Sequence, residues 1–183
     1  QIPLKQLTGP RTVEAADALD LPRSAISRIS RLRSPLRKAR KTLDLLGRAN
    51  AHPVFSDDPT YPRKLTDFLG NSAPAVLFIA GEEKLLECPS VAIVGSRRPS
   101  DPTRRAAFRF AHQQADRGRV VVSGGARGID TAAHQGAANP GSTAVVPPTG
   151  IMRFRWKGMD RDQLKPGRWC VVGQFPPQDP WRT

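Results

Sequence analysis

The chain has 183 residues, room for one full domain or for one domain and a small module. Hydrophobic residues make up 38%, and no apolar run approaches the roughly 18 residues that span a bilayer, so an integral membrane protein is excluded; several clean apolar segments argue against wholesale disorder. Two cysteines, Cys88 and Cys170, are too few for a disulfide framework, and with no signal peptide in the sequence the expectation is a cytoplasmic protein. Gln1 stands where an initiator Met would be, as in a fragment or processed chain.

The net charge of +13 is uneven: +7 over residues 1–50, −3 over 51–90, +5 over 91–150 and +4 over 151–183. Such a field favours a polyanionic partner, most simply nucleic acid. The competing reading is an Arg-rich vocabulary on a merely solvated surface.

Residues 12–47 read as short helices. Thr12 can cap the first, which ends at Leu21-Pro22. Ile26, Ile29 and Leu32 recur at helical spacing up to Ser34-Pro35. A third helix runs from Pro35 to Gly47, with Leu36, Ala39, Leu43 and Leu46 aligned. Its other face carries Arg37, Lys38, Arg40 and Lys41, either a solvated surface or a nucleic-acid contact. Residues 1–50 are therefore expected to form a helical module, and 51–183 a separate domain.

Residues 51–75 read as loop-rich, and 75–79 as a short buried strand stopped by Gly81. From Val91 the pattern alternates. Val91–Val94 is a strand, Gly95–Ser100 a loop, and a helix capped by Ser100 or Asp101 places Ala107, Phe108, Ala111 and Ala115 inward as far as Gly118. Val120–Val122 is a strand, Ser123–Gly128 a second loop, and Asp130 caps a helix through Ala138. Thr143–Val146 and Trp169–Val172 are further strands; the basic segment 152–168 reads as an extended loop or hairpin. Apolar strands separated by helices predict an α/β, Rossmann-like doubly wound parallel sheet, with ligands at the carboxyl ends of its strands.

Both loops sit between a strand and a helix, where backbone N–H groups and helix dipoles make an anion site. Gly95, Gly124, Gly125 and Gly128 leave no Cβ in the way of a phosphate; Ser96 and Ser123 add hydroxyls; Arg97 and Arg127 add guanidinium forks. Glycines used only for packing are the alternative, but two such loops, each with Ser and Arg, favour phosphate binding. No G-x-G-x-x-G, P-loop or G-x-S-x-G motif is present. His52, His112 and His134 have no partners at metal spacing, so neither a metal nor a cofactor is expected. Asp130 and His134, four residues apart, read as helix support or substrate-shell polarity rather than a catalytic dyad. Cys88 and Cys170 read as buried hydrophobes, and Tyr61 and Trp181 as core, with base stacking the alternative.

Tyr61-Pro62 with Leu65, then Ala75-Val76-Leu77-Phe78 and Gly81, then Val91–Arg97, then Ser123–Asp130 with Ala133-His134 and Gly136-Ala137 closely resemble the DNA-processing protein A family (DprA, also called Smf). The resemblance covers residues 52–146 well and 169–181 loosely. It implies a Rossmann-like core, preceded by a helical (SAM-like) module, that binds single-stranded DNA in natural transformation, competence and DNA recombination. Family members protect incoming strands, help load the bacterial recombinase and commonly dimerise, with no catalytic residue implied. Carried over, Arg97 and Arg127 would hold DNA phosphates, with Gly95, Ser96, Ser123, Gly124, Gly125 and Gly128 around them. The chain departs from the pattern after the third strand. An acidic-then-Tyr-Pro segment is expected there, and Pro147-Pro148-Thr149-Gly150 leads instead into Ile151–Lys157, whose basic and aromatic residues offer a substitute DNA contact. The sequence also ends at Thr183, before the family's remaining elements, so the domain is expected to be incomplete at its C-terminus. Two other readings stay open: a small-nucleotide sensor or hydrolase, which the lack of any Glu after Glu87 disfavours, and an inactive remnant with an uncovered sheet edge.

Overall fold

The computed structural model describes residues 23–159 and 164–180, with side chains from Leu36 onward. The chain divides into two units, Gln1–Leu45 and Leu46–Thr183. The expected helix at 12–21 lies outside the described residues.

Helix α1 (Arg23–Arg48) runs unbroken through Pro35, where the sequence reading ends one helix and begins another. Proline removes one backbone bond to the residue four back, but its fixed φ is helical, and the Leu, Arg, Ala and Lys residues around it are strong helix formers. Of the residues expected to face inward, Leu46 is buried and Leu36 half-buried, while Ala39 and Leu43 are exposed. Arg37, Lys38, Arg40 and Lys41 are exposed.

The second unit is built on a six-stranded sheet. In chain order it holds β1 (Ala51–Phe55), α2 (Arg63–Leu69), β2 (Val76–Gly81), a 3-10 turn (Glu83–Leu86), β3 (Ser90–Ala92), α3 (Asp101–Asp116), β4 (Val120–Ser123), α4 (Ile129–Ala138), β5 (Ser142–Val145) and β6 (Trp169–Gly173). The spatial order is β1-β2-β6-β5-β4-β3. Strands β3 to β6 are mutually parallel; β2 runs antiparallel to both β1 and β6. The Rossmann-like parallel half thus agrees with the sequence reading. Strand β1 corrects the reading of 51–75 as loop: Pro53, which argues against a central strand, is tolerated because β1 lies at the sheet edge.

Because β3, β4 and β5 follow one another across the sheet, right-handed crossovers put α3 and α4 on the same face. There Ala111 and Ala115 meet Ala133, Ala137 and Val121. A Cβ at Gly136 would strike the Phe108 carbonyl, so the two helices approach to backbone contact. Phe108 itself is partly exposed, a correction to its expected inward position: the seam is too close for anything larger than alanine. On the other face, Val54, Tyr61, Leu77, Ile79 and Val172 form one cluster beneath Leu65 of α2, and Leu85 of the 3-10 turn covers Val120, Ala144 and Cys170. Tyr61 is core, as expected, its hydroxyl donating to the Pro74 carbonyl at 2.7 Å. Burial raises the Cys170 thiol pKa to about 12, which leaves it an inert hydrophobe. No helix among the described residues is long and apolar enough to cross a membrane.

Candidate functional site

Strands β3 and β4 are parallel neighbours, so the loops at their carboxyl ends lie side by side. The Ile129 N–H donates to the Ser96 carbonyl at 3.1 Å and ties one loop to the other. Gly128 sits at φ +88°, and any Cβ there would collide with the Ser96 carbonyl and the Arg97 backbone. Only glycine lets the turns close to this distance. At Gly95 a Cβ would meet the Ile129 side chain.

Asp130 corrects the capping expectation. Gly128 occupies the cap position of α4, and Asp130 lies in the first turn. Its buried carboxylate reaches back to accept from the Ala126 N–H at 3.2 Å and so sets the second loop. His134, one turn further on, is buried as well. The Thr143 hydroxyl donates to the Val121 carbonyl at 2.9 Å, so the 2.7 Å contact between His134 Nδ1 and Thr143 Oγ1 requires Nδ1 to carry the proton. Burial lowers the His134 pKa to about 4, against a smaller opposing effect of the Asp130 charge. The pair supports structure, in line with the sequence reading.

The two loops open onto a cleft of about 650 Å³. Gly95, Arg97, Gly124, Gly125 and Arg127 line it, so both arginines border one space. Gly128 lies just outside, on an adjoining groove that shares Arg127. Ser96 is exposed beside the cleft, its hydroxyl accepting from the Arg98 N–H at 3.0 Å. Ser123 does not reach the cleft. It is 3% exposed, and its hydroxyl donates to the Ile93 carbonyl at 2.6 Å, which joins β4 to the chain leaving β3.

Sequence reasoning offered Ile151–Lys157 as a substitute contact without placing it against the two loops, and did not single out the chain leaving β5 for the site. Val146–Thr149, leaving β5, form one further wall. Arg153, Phe154, Arg155 and Lys157 form another. From Arg153 to Lys157 exposure alternates, with the cations out and Phe154 and Trp156 half-buried, as the chain leaves the 3-10 turn at Ile151–Arg153. That alternation is the signal in the sequence. Arg155 donates to the Met152 and Phe154 carbonyls at 2.9 and 2.7 Å, and Arg153 Nε to the Gln178 carbonyl at 3.1 Å, so both are anchored at the rim. Trp181 lies outside the described residues.

Fold and cleft together define a Rossmann-like α/β domain with a basic, glycine-turned cleft at the carboxyl ends of its parallel strands. The chain belongs to the DNA recombination-mediator protein A family, whose model matches residues 52–178 and so runs through the divergent segment after β5. It is 41% identical over 113 residues to the DNA processing protein DprA of Streptococcus pneumoniae, a match covering 61% of this chain and 39% of that protein. It is 33% identical over 115 residues to protein Smf of Escherichia coli, covering 61% of this chain and 29% of Smf. The chain thus spans two fifths or less of these curated relatives. The solved structure of the S. pneumoniae protein superimposes with a TM-score of 0.59 at 28% identity, over 97% of this chain and 65% of that one. DprA of Helicobacter pylori, whose structure is described as giving insight into a unique single-stranded DNA binding mode, shares the fold at a TM-score of 0.55 and 22% identity, over 73% of this chain and 59% of that one.

Proposed function

We propose that the cleft holds the sugar–phosphate backbone of single-stranded DNA, and that the protein acts without catalysis in DNA processing during transformation and recombination, covering strands and passing them to the recombinase. The observation that carries this reading is the charge arrangement. Five cations, Arg97, Arg127, Arg153, Arg155 and Lys157, line the cleft, and the one carboxylate among its described lining residues, Asp130, is turned onto the backbone of its own loop. Such a site favours a polyanion through counterion release and reads no sequence. Its volume suits a nucleotide unit rather than a duplex. The single-stranded DNA binding described for the H. pylori relative supports the same direction.

The test is an anisotropy titration with single-stranded DNA of increasing length, duplex DNA and a mononucleotide, each at two salt concentrations. The expected result is preference for the single strand, affinity rising with length, and a log–log salt slope of about −0.7 per neutralised phosphate. Tight mononucleotide binding with no gain from length contradicts the proposal and makes the cleft a small-nucleotide sensor.

A further inference from the structure

Helix α1 carries a charge pattern that the cleft does not use. It holds nine basic residues and a single carboxylate, Asp44, in 26 residues. Arg37, Lys38, Arg40 and Lys41 are exposed, and none of them lines the cleft. Arg37 and Arg40 are three residues apart, as are Lys38 and Lys41, and Arg37 and Lys41 are four apart, so like charges are neighbours on the helix surface. That spacing opposes the helix, and no acidic residue lies in its first turn to compensate. Among the described residues none of the four is in a salt bridge, whereas Arg104 of α3 is paired with Asp101 at 2.9 Å. A merely solvated helix interleaves the two signs, as α3 does. One that keeps a single sign against its own repulsion is relieved by a polyanion.

The helix also limits which polyanion. Its 26 residues run about 39 Å at about 1.5 Å each, a little over one turn of B-form DNA, whose major groove admits an α-helix. Between Arg23 and Arg48 there is no aromatic residue, so unpaired bases find nothing to stack on. A single strand would gain only phosphate contacts there, at about half the charge density of a duplex. A lipid surface asks for a free apolar face with aromatic anchors. Here Leu46 is buried in one cluster with Ala51 and Val145, Leu36 and Leu45 are half-buried, and Leu43 is the one large exposed apolar side chain among the described residues of α1.

We infer that α1 is a second nucleic-acid contact, separate from the cleft, in which Arg37, Lys38, Arg40 and Lys41 hold the phosphates of duplex DNA without reading its sequence. A chain with both features holds a single strand and a duplex at once. The contact goes beyond the role proposed for the cleft and does not depend on it.

The test is a gel-shift titration of a labelled duplex of about 20 base pairs on protein already saturated with an unlabelled single strand of about 12 nucleotides. The duplex is expected to join the complex rather than compete. The fourfold variant Arg37→Gln/Lys38→Gln/Arg40→Gln/Lys41→Gln keeps strong helix formers at these positions. It should bind duplex about tenfold or more weakly at low salt, with a log–log salt slope shallower by up to about 3.6, four phosphates at about 0.9 each, and with single-strand affinity unchanged. Arg97→Ala/Arg127→Ala should do the converse. On the unmutated protein, acetylation of Lys38 and Lys41, read by mass spectrometry, should be slowed by the duplex and not by the short strand; this readout holds even if the fourfold variant does not fold. Displacement of the duplex by the short strand overturns the inference, as does an unchanged duplex affinity and slope in a folded fourfold variant. Protection of the two lysines by vesicles rich in phosphatidylserine but not by duplex assigns the face to a lipid surface and overturns it too. Each of these outcomes leaves the cleft standing, since the cleft is tested by the response of single-strand binding to Arg97 and Arg127.

Discussion

Gly128 is the residue on which the two loops depend. Its φ of +88° and the proximity of the Ser96 carbonyl leave no room for a side chain. Gly128→Ala is expected to cost about 2 kcal/mol or more from left-handed strain plus collision, and to part the loops. A lowered denaturant midpoint together with weakened DNA binding checks it; an unchanged midpoint would mean the loops adjust freely. His134 carries the pH prediction. Its folded pKa, about 4, lies below the unfolded value near 6.5, so between these values the unfolded chain binds more protons. Stability from this group is therefore full above about pH 6.5 and falls by about 3 kcal/mol as pH drops toward 4. Urea unfolding at pH 7 and 4.5 should show the loss, and His134→Gln, which keeps a donor for Thr143, should largely remove it. At this scale the meeting of Gly95, Gly124, Gly125, Arg97 and Arg127 at one cleft is readable in the sequence, because each lies between a strand and a helix, whereas Gly95 and Gly128 serve the packing of the loops, the alternative the sequence left open. Ser123 is not readable, since a hydroxyl serves a ligand or a neighbouring carbonyl equally well. The Ile93 carbonyl that claims it becomes a neighbour only when β3 and β4 pair.

Elements with local signals are plain in the sequence, and those that depend on distant partners are not. Helix α3 has both kinds of terminus signal. Ser100 caps it by accepting from the Thr103 N–H, Pro102 follows in the first turn, and Gly118 lies just beyond the end at φ +76°. Ser100→Ala should cost about 1 kcal/mol, read as a shift in the unfolding midpoint with DNA binding largely retained. A shift near zero would mean that Thr103 and Asp101 hold the turn unaided. Strand β1 carries a proline and lies beside loop-like sequence; its strand state comes from pairing with β2, with Ala51 opposite Ala80 and Phe55 opposite Val76. Helix α1 shows the opposite failure. A proline that reads as a boundary is absorbed because one missing bond is outweighed by the strong helix formers on both sides.

For the whole molecule, the charge of +13 is a sum over the chain, and the second unit gathers five cations of it around one cleft. Two crossovers, through α3 and α4, bring the loops after β3, β4 and β5 to one end, and the segment 153–157 adds three cations there. The α/β alternation predicts that gathering for the first two loops. It says nothing of the last segment, whose place depends on Phe154 leaning against Gly125. The most direct measurement is the salt dependence of single-stranded DNA binding for the unmutated protein and for the Arg97→Ala/Arg127→Ala double variant, with folding of both checked by thermal unfolding. If these two guanidinium groups hold phosphates, the double variant binds much more weakly and its log–log slope is shallower by about 1.4, two phosphates at about 0.7 each. A folded double variant with unchanged affinity and unchanged slope would contradict the account.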